Sequence, residues 1–135
     1  MSAKIITVSG TRKRAVARAT VREGKGNVRV NKCPLAVIEP ELFRLRLQEP
    51  LEIAGEVAAK VDVDIKVHGG GSQGQIEAVR LVLAKALYQF ANKNLQVRKD
   101  LLEYDRHLLI ADVRRNEPHK PNDSKPRAKR QKSYR

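Results

Sequence analysis

The sequence predicts one compact α+β domain with a sheet covered by helices on one face, extended by a basic tail. Three observations carry this expectation. The stretches RAVARATVR (14–22) and VDVDIKV (61–67) alternate, as half-buried strands with one wet face do. From Gln73 to Asn92, apolar residues return at Ile76, Val79, Leu83, Leu87 and Phe90, the spacing of a helix with one buried stripe. Beyond Arg114 no period survives, and Pro118, Pro121 and Pro126 interrupt a polar, cationic segment. A length of 135 residues suits a single core, placed here in residues 1–113 with 114–135 as the tail. With no Trp, two Phe and three Tyr, that core must be built from Val, Leu, Ile and Ala.

Taken in order, IITV (5–8) reads as a short strand. In 14–22, Arg14, Val16, Arg18, Thr20 and Arg22 share one face, and Ala15, Ala17, Ala19 and Val21 the other. EGKGN (23–27) then reads as a turn, because Gly24 and Gly26 tolerate positive φ. VRVN (28–31) would return beside 14–22 as a hairpin, setting out Arg18, Arg22 and Arg29 in rows. Pro34, Pro40 and Pro50 divide the next stretch into a helix of one or two turns in ELFRLRL (41–47) and a second near 51–55. Ser72 with Gln75 three residues on has the form of a capping box and sets the start of the long helix. A further helix over Leu95–Tyr104 would bury Val97, Leu101 and Leu102. The apolar run His107–Ala111 is expected to rejoin the sheet. The tail is expected to stay disordered until a partner orders it.

The net charge of +13 implies a polyanionic partner, and its distribution says which kind. Residues 1–32 hold nine Lys/Arg against Glu23 alone, and residues 114–135 nine against two acids. Residues 33–113 hold ten against twelve. Cations at both ends of an ordinary domain fit a nucleic acid gripped by a globular face and an arm. They do not fit a membrane surface, which is usually met by one basic amphipathic helix. A solvated face is the ordinary meaning of a charged strand, yet nearly pure Arg without interspersed acid favours anion binding. Cys33 is alone, so neither a disulfide nor a Cys-based zinc site is expected. No transmembrane or signal-peptide pattern is evident, and the expectation is a cytoplasmic protein.

HGGGSQGQ (68–75) satisfies G-x-G-x-x-G through Gly69, Gly71 and Gly74, after a strand and before a helix. A dinucleotide loop needs a fully buried strand before it and a carboxylate at the end of a later strand, and neither is found. A Walker loop needs a closing Lys-Ser or Lys-Thr. Bare amides at a helix start remain, and they attract phosphate from any source. No nucleophile–base pair, metal spacing or cofactor motif is evident in His68, His107, His119, Asp62 or Asp64. The stretch KPRAKRQKSYR (125–135) carries six cations and no acid. Extended, residues 124–135 reach about 40 Å. Six phosphate contacts on a single strand would give a salt slope of about −4. A non-specific solubilising tail is the plainer alternative.

GTRKRAVARATV (10–21), GKGNVRVNKCPL (24–35), QEPLEIAG (48–55), HGGGSQGQIEAVRLVLAKAL (68–87) and KSYR (132–135) together resemble the universal small-subunit ribosomal protein nine family. The ending SYR, where bacterial members carry SKR, is similar to the archaeal and eukaryotic cytosolic branch. The resemblance implies a fold like the second domain of ribosomal protein five. It implies binding to ribosomal RNA in the head of the small subunit, among neighbouring head proteins. It also implies a tail reaching the transfer RNA in the peptidyl site through Lys132, Ser133, Tyr134 and Arg135. At Tyr134, stacking or hydrogen bonding would replace a second charge. Candidates for ribosomal RNA are Arg12, Lys13, Arg14, Arg18, Gly69, Gly70, Gly71, Gln75, Arg114, Arg115, Lys125, Arg127, Lys129 and Arg130. No catalysis, cofactor or metal is implied. Two competitors stand beside this reading, a nucleotide-dependent enzyme using the glycine loop and a free-standing nucleic-acid-packaging protein.

Overall fold

The computed structural model describes residues 5–122, 124–131 and 133–134. Five strands, β1 (Ile6–Arg12), β2 (Ala15–Glu23), β3 (Val28–Val30), β4 (Cys33–Pro34) and β5 (Val61–His68), form one mixed sheet in the order β1-β2-β5-β3-β4. Four helices, α1 (Glu41–Ala54), α2 (Glu56–Ala59), α3 (Ser72–Phe90) and α4 (Leu95–Tyr104), complete an α+β fold. Helix α3 lies across β1, β2 and β5, and α1 packs on α3. Ala15, Ala17 and Ala19 make the covered face of β2 shallow, and Gly10 does the same for β1. A Cβ on Gly10 would stand 2.7 Å from Val82 Cγ2. Around this seam the core is aliphatic, with Val21, Val61, Val63, Ile65, Val79, Leu83 and Leu87 buried.

Residues 28–31 do not pair with 14–22. Strand β5 lies between β2 and β3, antiparallel to the first and parallel to the second. EGKGN instead wraps the start of β5. The amides of Lys25 and Asn27 both donate to Asp62 Oδ1 at 2.9 Å, and that of Gly24 to the Lys60 carbonyl at 3.0 Å. These amide donors hold the Asp62 carboxyl below its ordinary value. β5 presents Val or Ile at alternate positions over eight residues, a longer apolar ladder than the three-residue β3 offers. The real hairpin joins β1 to β2. β1 outruns the apolar IITV because Ser9, Gly10 and Thr11 continue the pairing without an apolar signal.

Four further expectations are corrected. α1 is one helix, continuing through Pro50, whose fully buried ring, with Leu47 and Ala54, packs in the core. Packing outweighs the amide that proline lacks. Ser72 is not a cap; Gly71 is the N-cap of α3, with no side-chain hydrogen bond, and Gln75 Nε2 donates to the Gly69 carbonyl at 3.1 Å. His107–Ala111 does not rejoin the sheet. Arg106–Leu108 is a 3-10 turn started by Asp105, and Leu108 is buried with Ala84, Val97 and Leu101 in a second core under the helices. Leu102 is only half-buried. After this turn the described residues contain no helix or strand.

Candidate nucleic-acid interface

The cationic end of the sheet follows from its register. Arg12 pairs with Ala15, so Lys13 and Arg14 form the tip of the β1–β2 hairpin, with Lys13 at φ 53°. Val16 pairs with His68, which sets the glycine loop beside that tip. Gly69 has φ 77°, and a Cβ there would lie 2.7 Å from the Arg14 carbonyl oxygen. Gly70, at φ 64°, abuts Ala15 in the same way. These two glycines are therefore required by contact between two backbones. Gly71 meets nothing within 4 Å and leads into α3, whose first turn contains no acid. Lys13 and Arg14 thus stand with the uncapped, partly positive start of a 19-residue helix.

An open groove of about 990 Å³ runs along this end. Arg12–Arg14 with Gly70, Gly71 and Gln73 form one wall, and Arg115–His119 the other. Asp112 organises the junction. Its carboxylate bridges Arg12 (3.2 Å) and Arg114 (Nη2 at 2.7 Å, Nε at 2.9 Å), and it accepts the Arg114 amide at 3.0 Å. The Arg114 side chain, then its amide and the charge of Arg12, hold the Asp112 carboxyl far below the usual range. Asp112 raises Arg114 in turn. Glu117 is similarly held down by Arg127, whose Nε lies 3.0 Å from Oε2.

The open face of the sheet is graded in charge. Arg18 lies beside Lys66, one row from the His68 end, with no acid in that row. Further along, Arg22 pairs with Asp62, and Arg29 with Asp64. The row of arginines expected from residues 14–29 alone is therefore diluted by β5. Only its Arg18 end stays cationic.

The structure brings Lys13, Arg14, Gly69, Gly70, Gly71 and Gln75 together, with Arg115 across the groove, and leaves Arg18 apart from them on the open face of the sheet. Arg12, Arg114 and Arg127 are engaged by the chain's own acids. Lys125, Lys129, Arg130, Ser133 and Tyr134 are exposed and belong to no helix or strand. Lys132 and Arg135 lie outside the described residues. Two members escaped sequence reasoning. The alternation placed Lys66 outward, but only strand register sets it beside Arg18. Asp112 meets Arg12 across one hundred residues, for which no local signal exists. No helix among the described residues is long and apolar enough to cross a membrane.

Comparison with known families decides the assignment: the family described as Ribosomal protein S9/S16 matches residues 10–135. The chain belongs to this family. Among its relatives, the small ribosomal subunit protein uS9 of Methanococcus maripaludis (strain C7) is 48% identical over 134 residues, 98% of this chain and 99% of that protein. The counterpart in Methanococcus vannielii is 47% identical over the same shares of both chains. The family resemblance drawn from separated motifs is thus established, and with it the chain's place among ribosomal proteins.

Proposed function

We propose that this chain is a structural, non-catalytic constituent of the small-subunit head. It docks on ribosomal RNA through the cationic end of its sheet. Its tail, residues 114–135, extends from the 1–113 body to the transfer RNA in the peptidyl site. The observation that carries the reading is the meeting of Lys13 and Arg14 with the uncapped start of α3, where exposed amides and cations all favour phosphate, while Arg18 adds a cation on the open face of the sheet. Arg115 faces the same groove from the tail side, so one RNA strand could be held between body and tail. Lys125, Arg127, Lys129 and Arg130 would add backbone contacts further out. Ser133 and Tyr134, with Lys132 and Arg135, would form the transfer-RNA contact. The chain would accordingly work in the cytoplasm, on the ribosome.

Of the three motif glycines behind the competing nucleotide-enzyme reading, Gly69 is accounted for by its contact with the Arg14 carbonyl. The test is twofold. The full chain is expected to co-sediment with small subunits in a sucrose gradient. Deleting residues 133–135 should leave that unchanged but weaken transfer-RNA retention, more so at high salt. Sedimentation away from subunits would favour the packaging reading, and saturable micromolar nucleotide binding would favour the enzyme.

A further inference from the structure

The chain reverses its electrostatic character on the side formed by α1. Segment 39–56 carries five carboxylates against Arg44 and Arg46, and both guanidinium groups are engaged, with Glu41 at 3.3 Å and Glu77 at 3.1 Å. Leu47, Pro50 and Ala54 point into the core, so helical geometry turns Glu41, Leu45 and Glu52 directly outward, with Leu42 on their flank. Leu42 and Leu45 are 54% and 51% exposed, and Val37, in the turn before α1, is 66% exposed. Arg44 Nη1 ties that turn to the helix by donating to the Ala36 carbonyl at 3.3 Å. At the far end Tyr104 of α4 lies against Glu49, whose charge, after desolvation, pushes its hydroxyl pKa up. Glu39 and Glu52 make no ion pair among the described residues.

Exposed leucines amid carboxylates are unsuited to RNA. Phosphate is repelled by the acids, and the aliphatic side chains offer no stacking face. The same surface complements a cationic polypeptide, with the acids matching its charges and the leucines receiving an apolar anchor. We propose that the outer face of α1 docks a lysine- and arginine-rich protein segment bearing an apolar side chain, within the assembled subunit. This rests on the ribosomal reading above.

The test uses the full chain carrying Cys33→Ser and Leu45→Cys, labelled with a thiol-directed benzophenone and incorporated into small subunits. Leu42→Cys provides a second attachment point on the same exposed face. Irradiation is expected to give an RNase-resistant adduct to a protein peptide with an excess of Lys and Arg. The yield should fall about five-fold when Glu41 and Glu52 are both changed to Lys. An adduct to RNA, an adduct to an acidic peptide, or no adduct in subunits that contain the labelled chain would overturn the docking proposal alone. Failure of the unlabelled chain to enter subunits would overturn the ribosomal reading, and the docking with it.

Discussion

Replacing Gly69 by alanine tests how the interface is built. At φ 77° an L-residue carries a left-handed cost of about 1–2 kcal/mol. The new Cβ would also stand 2.7 Å from the Arg14 carbonyl oxygen, which must retreat by several tenths of an ångström. That oxygen belongs to the backbone of the β1–β2 tip, so the move cannot be absorbed by a flexible side chain. Overpacking of this kind costs about 1–3 kcal/mol, while alanine restricts the unfolded chain and returns about 0.4–1 kcal/mol. The expected net loss is about 2–3 kcal/mol. With a urea dependence of about 2 kcal/mol/M, the unfolding midpoint should fall by about 1–1.5 M. Gly71→Ala is the matched control, since its φ is ordinary and a Cβ there meets nothing. Its stability should stay within about 0.5 kcal/mol of the parent. Equal midpoints for the two variants would refute the claim that the glycine loop is shaped by contact with the hairpin tip.

Other predictions follow from particular charges. Arg80 is buried between Glu49 and Asp105 (Nη1 to Asp105 at 2.7 Å), so Arg80→Met should cost about 2–3 kcal/mol in urea unfolding. That is below the fully buried figure because both carboxylates keep some solvent, and adding Glu49→Gln with Asp105→Asn should restore most of the loss. Asp62 titrates below its unfolded value of 3.8, so its stabilisation is complete above that pH and disappears as pH falls through the lower folded value. Asp62→Asn should therefore unfold more easily at pH 7, with the difference from the parent vanishing in acid. In filter-binding assays with ribosomal RNA across a salt series, Lys13→Ala and Arg14→Ala should each make the log–log slope shallower by about 1. Unchanged slopes would place the RNA elsewhere.

The sequence revealed those elements whose signal is local. The long helix, α4 and strand 61–68 stand where periodicity placed them, because a buried face is written into consecutive residues. No strand pairing was legible: the tight turn at Lys13 and Arg14 that joins β1 to β2 carries none of the usual turn residues. EGKGN looked like such a turn, yet its amides satisfy Asp62, a residue thirty-five or more positions away. Pro50 misled for a related reason, since burial against α3 outweighs a local preference. At the candidate interface, Lys13, Arg14 and the glycine loop could be named through the family resemblance of their segments. Their separation from the acid-engaged Arg12 and Arg114 could not, because Asp112 is brought to Arg12 by the folded body.

The placement of β5 has a consequence for the order of events during synthesis. The central strand of the sheet is the last to be made, so β3, paired locally with the two-residue β4 alone, waits for its other neighbour until residue 68 has emerged. Only the β1–β2 ribbon and the short β3–β4 pair can form from neighbours in the chain, and joining them through β5 spans more than thirty residues, a slow step for any nascent polypeptide. The corner proposed to face phosphate is thus absent from every shorter intermediate, and a chain released before α3 is complete would carry its cations scattered.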